Sequence, residues 1–336
     1  MSPGVSPGGA EIRVARAGDE NGIIEGLNRC RSRPLSLEEW SWSYPPSATG
    51  RPIVVAVKDG RIVAHVGGVI SAFQIDRRTV PALRVADEFA LAEVGGNGEQ
   101  NRLLAEMLKA WVSEFGGADR IRMIYQLVGE GESSGSPAFT KGRRVALPPV
   151  EILARRVAVR SPLRRLAFRA EPARDWEPRL DNLWRRIARS YPFAAVRDAE
   201  MSLHRHAGHP GTRRHRFLVF PRFSRHAVAW AVFETDASRC RWVDLVWDHD
   251  EPGALDLLAH LSRRLASQVG AMNERIVLGG DAEARRRLEA VGFRPEVALE
   301  DLRMMVLSLP PGAVPGDLGS RLYVTQTDLD PLRRIG

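Results

Sequence analysis

Apolar and β-branched positions cluster most clearly between residues 52 and 75. The run PIVVAVK (52–58) and the run RIVAHVGGVISAFQI (61–75) are joined by Asp59-Gly60, and two such runs around a two-residue Asp-Gly turn predict an antiparallel hairpin. A turn at Asp76-Arg77-Arg78 leads to a third strand over residues 83–92, which runs into the glycine loop GGNG and then into the helical run EQNRLLAEMLKAWVSEF. Upstream, Ile12, Val14 and Ala15 predict a short strand and Asp19 a cap on a helix over residues 20–31. Ser36 and Glu39 form the pattern of a capping box, opening a second helix through Trp40 and Trp42 that Pro45 and Pro46 stop. Beyond Gly116-Gly117 follow a strand, RIRMIYQLV, a Gly/Ser segment, a short helical stretch, SPAFTKG, and a strand pair through VALPPVEILARRV.

The same order of elements returns later in the chain. A helix containing Trp176 and Trp184 and a His/Arg-rich stretch precede the strands HRFLVFP, HAVAWAVFET and RCRWVDLVWD, the helix GALDLLAHLSRRLASQVG, the strand ERIVLGG, the helix DAEARRRLEAVG and a last strand around RMMVLSLP. No short period accompanies the repetition, so it indicates a duplicated domain and not a solenoid. At roughly 100–200 residues per domain, the length of 336 also argues for two. Residues 1–10, rich in Gly, Pro and Ser, predict a disordered tail. Residues 11–157 then form a first unit, 158–175 a basic connector, 176–310 a second unit and 311–336 a C-terminal extension.

Composition narrows the class. With 44% hydrophobic and 27% charged residues the chain is of ordinary globular type, which excludes disordered and collagen-like chains. It contains no apolar run long enough for a membrane span and no signal-peptide pattern, so a cytoplasmic protein without membrane contact is expected. Two cysteines, Cys30 and Cys240, neither frame a disulfide scaffold nor offer a zinc pair. The net charge of +8 invites a nucleic-acid reading, yet lysine occurs only at Lys58, Lys109 and Lys141. That arginine skew most simply reflects a GC-rich coding sequence, and nucleic acid is not the favoured partner. The stretch HRHAGHPGTRRHR lacks the Cys or paired carboxylates of a familiar zinc site, so it reads as a solvated basic loop and no metal is expected.

A strand that runs through a glycine loop into a helix is a ready anion site, because the first N–H groups of the helix lack intrahelical acceptors and the helix dipole favours negative charge. LAEVGGNGEQNRLL is neither a P-loop nor a dinucleotide fingerprint. In its setting of antiparallel strands before and a helix and strand after, it resembles the GNAT superfamily of acyl-CoA-dependent N-acyltransferases. Gly98 matches the central glycine of the family's loop, and Leu103 and Leu104 match the leucines of its helix. Gly95 stands where Arg or Gln is usual, and Gln100 where a small residue is usual. The resemblance covers most of residues 11–157 and, more faintly, 176–309, as in tandem-GNAT proteins. It implies an α/β fold of α+β type: two tandem domains, each a mixed, mainly antiparallel twisted sheet flanked by helices.

The resemblance also implies a chemistry. Acetyl-CoA or another acyl-CoA would lie along the strand ending Glu88, Phe89, Ala90, Leu91 and Ala92. Its pyrophosphate would sit on the loop Gly95, Gly96, Asn97, Gly98, Glu99 and Gln100, and the Leu91 N–H would face the thioester oxyanion. An attacking amine must lose a proton, for which Asp87 and Glu88 are the available carboxylates; they face opposite sides of the strand. SPAFTKG offers no tyrosine to protonate the departing thiolate, which leaves Tyr125, with Ser133, Ser134 and Ser136 as weaker candidates. In the second unit the corresponding turn, WDHDEPGALDLL, is acidic and would repel phosphates, so that half is read as a degenerate partner domain shaping the acceptor site. The implied activity is N-acylation of a primary amine on a small molecule, an amino sugar or a protein. The alternative is a catalytically degenerate GNAT scaffold acting as a binding or regulatory module.

Overall fold

The computed structural model describes residues 4–5, 9–31, 33–44, 51–116, 121–128, 143–157, 163–210, 212–236, 238–299, 302–309, 315 and 318–329. Its strands are β1 (Gly4–Val5), β2 (Glu11–Val14), β3 (Ile53–Lys58), β4 (Arg61–Ile75), β5 (Arg78–Ala90), β6 (Met123–Val128), β7 (Arg143–Ala146), β8 (Val150–Arg156), β9 (Phe168–Pro172), β10 (Phe193–Ala195), β11 (Arg213–Pro221), β12 (Ala229–Thr235), β13 (Cys240–Trp247), β14 (Asn273–Gly279), β15 (Arg294–Ala298), β16 (Arg303–Ser308) and β17 (Val324–Thr325). The helices are α1 (Glu20–Cys30), α2 (Leu37–Ser43), α3 (Asn97–Phe115), α4 (Arg179–Ile187), α5 (Ala199–His206), α6 (Pro252–Gln268) and α7 (Ala282–Ala290). Two mixed, mainly antiparallel sheets result, as the α/β expectation requires. One runs β1-β2-β3-β4-β5-β6-β16-β7, with β10 on the far end of β4; the other runs β15-β8-β14-β13-β12-β11-β9, with β17 on β14.

The chain divides into two compact units, Met1–Ala72 with Val80–Ala146 and Arg303–Gly316, and Phe73–Thr79 with Leu147–Leu302 and Asp317–Gly336. Two strands therefore join the sheet that is distant in sequence. β8, which chain order places at the end of the first unit, pairs along its whole length with β14. β16, which chain order places at the end of the second, pairs with β6 and β7. The expectation that VALPPVEILARRV closes the first sheet is corrected accordingly, because an apolar strand carries no mark of which ladder it joins. Arg155, inside the span read as the first unit, is a core residue of β8, fully buried against Glu274 in the second sheet. β9, inside the span read as connector, is a strand of the second sheet.

Local chemistry explains the elements around the first unit's site. Asp59 and Gly60 both have positive φ, 50° and 73°, the conformation that a two-residue hairpin turn demands. The capping box forms: Ser36 Oγ accepts from the Glu39 N–H at 3.1 Å, and the Glu39 carboxylate accepts from the Ser36 N–H at 3.0 Å. Asp19 does not cap α1. Its carboxylate takes a two-pronged ion pair from Arg13 at 2.7 and 2.9 Å, and a charge-assisted bidentate pair outweighs a single cap bond.

One face of the first sheet is covered by α3, which lays Leu103, Leu104, Met107, Leu108 and Trp111 on Val54, Ala56, Val66, Leu83 and Val85. Gly68 makes room for the indole, since a Cβ there would stand 2.4 Å from Trp111 Cζ2, and the indole N–H donates to the Pro52 carbonyl at 2.7 Å. Loss of a buried aromatic of this kind costs about 3–5 kcal/mol. Gly26 of α1 approaches the opposite face of the sheet closely, because a Cβ there would stand 2.1 Å from the Phe89 ring. No described helix is long and apolar enough to cross a membrane.

Candidate functional site

The first unit contains a strand pair that opens. β5 and β6 are parallel partners only at Ala82↔Met123, Leu83↔Ile124 and Arg84↔Tyr125; β5 continues to Ala90 and β6 to Val128 without pairing each other further. The side chains of β5 change phase at the same point. Leu83 and Val85 belong to the core under α3, whereas Phe89 stacks on His65 on the other face and Ala90 lies against the α3 core again. One residue has slipped between Val85 and Asp87, the signature of a bulge, which bends a strand away from its partner. Among the described residues no strand enters the wedge so formed.

A buried polar cluster lies on the Phe89 face of β5. Asp87 accepts from the Tyr44 hydroxyl at 2.8 Å and pairs with the Arg31 guanidinium. Arg31 is the residue after α1 and Tyr44 the residue after α2, so the ends of the two helices bring both donors to the carboxylate. His65 of β4 is fully buried, stacked on Phe89 with ring centroids 5.7 Å apart and edge-on to Tyr44 at 6.2 Å. Among the described residues neither of its nitrogens has a hydrogen-bond partner. Burial, reinforced by the charge of Arg31, pushes its pKa down to about 3, so the imidazole is neutral. Gly67 provides the space: a Cβ there would lie 2.7 Å from Tyr44 Oη and 2.9 Å from His65 Nε2. The two polar atoms thus flank one small gap.

Past β5, Leu91 and a single 3-10 turn, Ala92–Val94, lead to the loop and α3. Gly95 has φ +134°, which L side chains rarely adopt, and a Cβ there would fall 1.7 Å from Glu99 Oε2. An Arg or Gln at that position would be strained and would collide. Gly96 and Gly98 differ: their φ angles are ordinary and nothing lies within 4 Å of a Cβ on either. A glycine inside a helix costs about 0.5–1 kcal/mol relative to alanine, and neither conformation nor packing accounts for that cost at Gly98.

The second unit repeats the arrangement and then fills it. β13 and β14 run parallel from Cys240↔Glu274 to Trp242↔Ile276. Beyond that point the edge of β14 facing β13 is taken by β17, through Leu278↔Thr325 and Gly279↔Val324, while its other edge holds β8. Thr327 Oγ1 donates to the Val243 carbonyl at 3.0 Å and the Tyr323 hydroxyl to the Leu245 carbonyl. Gly280 is obligatory for this approach, since its φ is +75° and a Cβ would lie 2.1 Å from the Leu322 carbonyl oxygen. Below the segment, the buried Arg197 guanidinium pairs with Asp244 and with Asp328.

Sequence comparison finds no matching family model and no matching curated protein. The structure, by contrast, is similar to a GCN5-related N-acetyltransferase from Anabaena variabilis, with 12% identity, a TM-score of 0.65 and coverage of 88% of this chain and 72% of that one. It is similar to a tandem GNAT protein from the clavulanic acid biosynthesis pathway, with 13% identity, a TM-score of 0.56 and coverage of 89% and 98%. It is also similar to Saccharomyces cerevisiae N-myristoyltransferase, whose structure holds myristoyl-CoA, with 10% identity, a TM-score of 0.61 and coverage of 91% and 82%. The chain has the GNAT fold, in tandem. The opening strand pair, the loop and the following helix occur in both GNAT units, with the wedge of the second filled by the chain's own C-terminal segment.

Within the first GNAT unit the residues singled out from sequence separate into groups. Asp87 and Glu88 are on opposite faces of β5, as strand alternation requires, and Asp87 sits in the polar cluster. Tyr125 is buried at the last rung of the β5–β6 ladder, at the apex of the wedge. Ser133, Ser134, Ser136 and the SPAFTKG stretch lie outside the described residues. The Leu91 N–H is not available to an oxyanion, because it donates to the Val63 carbonyl at 2.8 Å. Alternation along β5 turns the N–H of Ala90 away from β4 and toward the wedge.

The loop donors are fewer than expected. The Gly96 N–H donates to the Glu99 carboxylate at 3.2 Å, and the N–H groups of Glu99 and Gln100 donate to the Gly96 carbonyl at 2.9 and 3.1 Å. Those of Asn97 and Gly98 are left without acceptors among the described residues. Gln100 reaches back to the Gly95 carbonyl at 3.1 Å.

Sequence reasoning missed Arg31, Tyr44 and His65. The available signal for His65 was a lone imidazole in the apolar strand VAHVGGV, in phase with Gly67. The His/Arg-rich stretch also departs from expectation. His206 is buried, with Nε2 3.6 Å from Asp244 and Nδ1 3.3 Å from an Arg214 nitrogen, and burial pushes its pKa down to about 4 against the pull of Asp244. Apolar strands behind a helix end, not solvent, surround that part of the stretch. Among the described residues no group of His, Cys, Asp and Glu is placed to hold a metal ion.

Proposed function

We propose that the first GNAT unit is an acyl-CoA-dependent N-acyltransferase that acylates a primary amine. The observation that carries this reading is the pair of glycines, Gly96 and Gly98, left with empty space over their Cα atoms at the start of α3, directly beyond a wedge between parallel strands. The free N–H groups of Asn97 and Gly98 suit the pyrophosphate of the donor, with the helix dipole behind them. Glu99 is exposed, and its side chain has to turn away from the helix start for a phosphate to approach.

The unpaired edge of β5 suits the pantetheine, which can add to it as a strand would. The Ala90 N–H would face the thioester oxygen as charge develops on it. The amine nitrogen attacks the carbonyl carbon, the new C–N bond forms, and the C–S bond breaks to release the thiolate. The proton lost by the amine reaches Asp87 by way of the Tyr44 hydroxyl, which already donates to that carboxylate. Arg31 holds the carboxylate in place, and the neutral imidazole of His65 packs edge-on to the Tyr44 ring.

The experiment is release of free thiol from acetyl-CoA in the presence of a panel of amino sugars, small amines and peptides, for the intact protein and for Tyr44→Phe. Amine-dependent release that falls about 10–100-fold in the variant supports the reading, the range usual for a proton-transfer group. One observation favours a second reading, that of a non-catalytic module: the Glu99 carboxylate occupies its own helix start. Binding of acetyl-CoA without thiol release across the panel would support it.

A further inference from the structure

The second unit carries a surface that neither its fold nor the proposed reaction uses. Phe223 stands at the tip of the turn between β11 and β12 and is 99% exposed. The turn is held rigidly, with the Ser224 N–H donating to the Pro221 carbonyl at 2.9 Å and the His226 N–H to Ser224 Oγ at 3.0 Å. It is tied to the neighbouring 3-10 segment Leu163–Ala167 by the Arg222 N–H, which donates to the Ala167 carbonyl at 2.8 Å. That segment projects Leu163 and Leu166, 75% and 57% exposed.

The collar around these side chains is cationic. Arg222, Arg225 and Arg264 are exposed and have no carboxylate within ion-pair distance among the described residues. The 3-10 segment lies against α6, which contributes Arg263 and Arg264. Burial, and after it the like charges of Arg165, Arg263 and Arg264, hold His260 below its ordinary pKa. The surface therefore combines the protruding apolar tips of Phe223, Leu163 and Leu166 with the exposed positive charges of Arg222, Arg225 and Arg264.

We propose that this face of the second unit docks on the surface of an anionic lipid bilayer. A bilayer interface has no fixed shape and accepts isolated protruding Phe and Leu side chains at the level of the headgroups, while arginines around them meet lipid phosphates. The contact is interfacial and involves no span, and it is independent of whether the first unit transfers acyl groups.

The test is co-sedimentation of the intact protein with phosphatidylcholine vesicles prepared with and without phosphatidylglycerol, at low and high salt. Binding should require phosphatidylglycerol and weaken with salt. Phe223→Asp should reduce the partition coefficient at least about tenfold, the loss of one buried aromatic. Replacing Arg222, Arg225 and Arg264 together by serine should reduce it about a hundredfold, near fivefold for each charge at an anionic surface. All four positions are exposed, so thermal melts of the variants should overlay the parent and separate a binding defect from unfolding. Failure to bind phosphatidylglycerol vesicles at low salt would overturn the proposal. Salt-sensitive binding lost in the arginine variant but unchanged in Phe223→Asp would also overturn it, since adsorption by charge alone fits any acidic surface, that of a protein included.

Discussion

Replacing His65 by leucine should make the fold more tolerant of acid. In the native state the imidazole is fully buried, has no partner on either nitrogen among the described residues, and is held near pKa 3 by burial and by Arg31. In the unfolded chain it returns to about 6.5. Below that value the unfolded state binds a proton that the native state refuses, so stability falls as pH falls, by about 1.4 kcal/mol for each pH unit once the unfolded histidine is mostly charged. The contribution is fully present above pH 6.5 and is lost progressively until the native imidazole itself titrates. Between about pH 7 and about pH 5 the loss comes to about 2 kcal/mol. His206 and His209, both lowered to about 4, act in the same direction, so the parent alone does not isolate one site. The difference between His65→Leu and the parent does. Urea denaturation at the two pH values should show the variant gaining about 2 kcal/mol relative to the parent on acidification. Parallel stability curves would refute the reasoning, because they would mean that His65 takes up its proton as readily folded as unfolded.

Three further outcomes follow from contacts already described. Asp87→Ala removes the acceptor of the Tyr44 hydroxyl's 2.8 Å hydrogen bond and the Arg31–Asp87 ion pair, and should lower stability by about 2–3 kcal/mol in thermal melts, with Tyr44→Phe costing less. Asp328→Ala takes one of two carboxylates from the buried Arg197, whose side chain is 1% exposed. It should cost about 3–5 kcal/mol by denaturant midpoint and loosen the C-terminal segment in hydrogen exchange. Gly98→Ala should raise stability by up to about 1 kcal/mol, since φ is ordinary and the space is open, whereas Gly95→Ala should lower it by about 1–3 kcal/mol because φ is +134° there and Glu99 stands in the way.

Features fixed by neighbours in sequence were legible in the chain. The Asp59-Gly60 hairpin, the Ser36–Glu39 box and the leucine face of α3 each depend on spacing within a few residues, and the order of elements was enough to suggest a tandem GNAT fold. What depends on pairing between distant strands was not legible. The exchange of β8 and β16 between sheets leaves no local trace, because either strand could complete either ladder. The Leu91 N–H failed as an oxyanion donor for the same reason: its direction is set by β4, not by its own sequence. The polar cluster joins residues 31, 44, 65 and 87 from four elements, of which the carboxylate alone stood near a recognisable motif. The loop was found, but the extent to which Glu99, Gln100 and Gly96 satisfy one another was hidden in side-chain geometry.

If the wedge and loop of the first unit take an acyl-CoA, calorimetric titration of the ligand-free protein with acetyl-CoA, run alongside Gly98→Glu, reads that binding without any need to know the acceptor. Gly98 points to open space, so the variant should fold as the parent does while placing a carboxylate where the pyrophosphate would rest. The parent should bind saturably at one site per chain, the second wedge being filled by β17, and the variant should lose that binding. A folded parent that binds no acetyl-CoA, or a variant that binds as tightly as the parent, would contradict it.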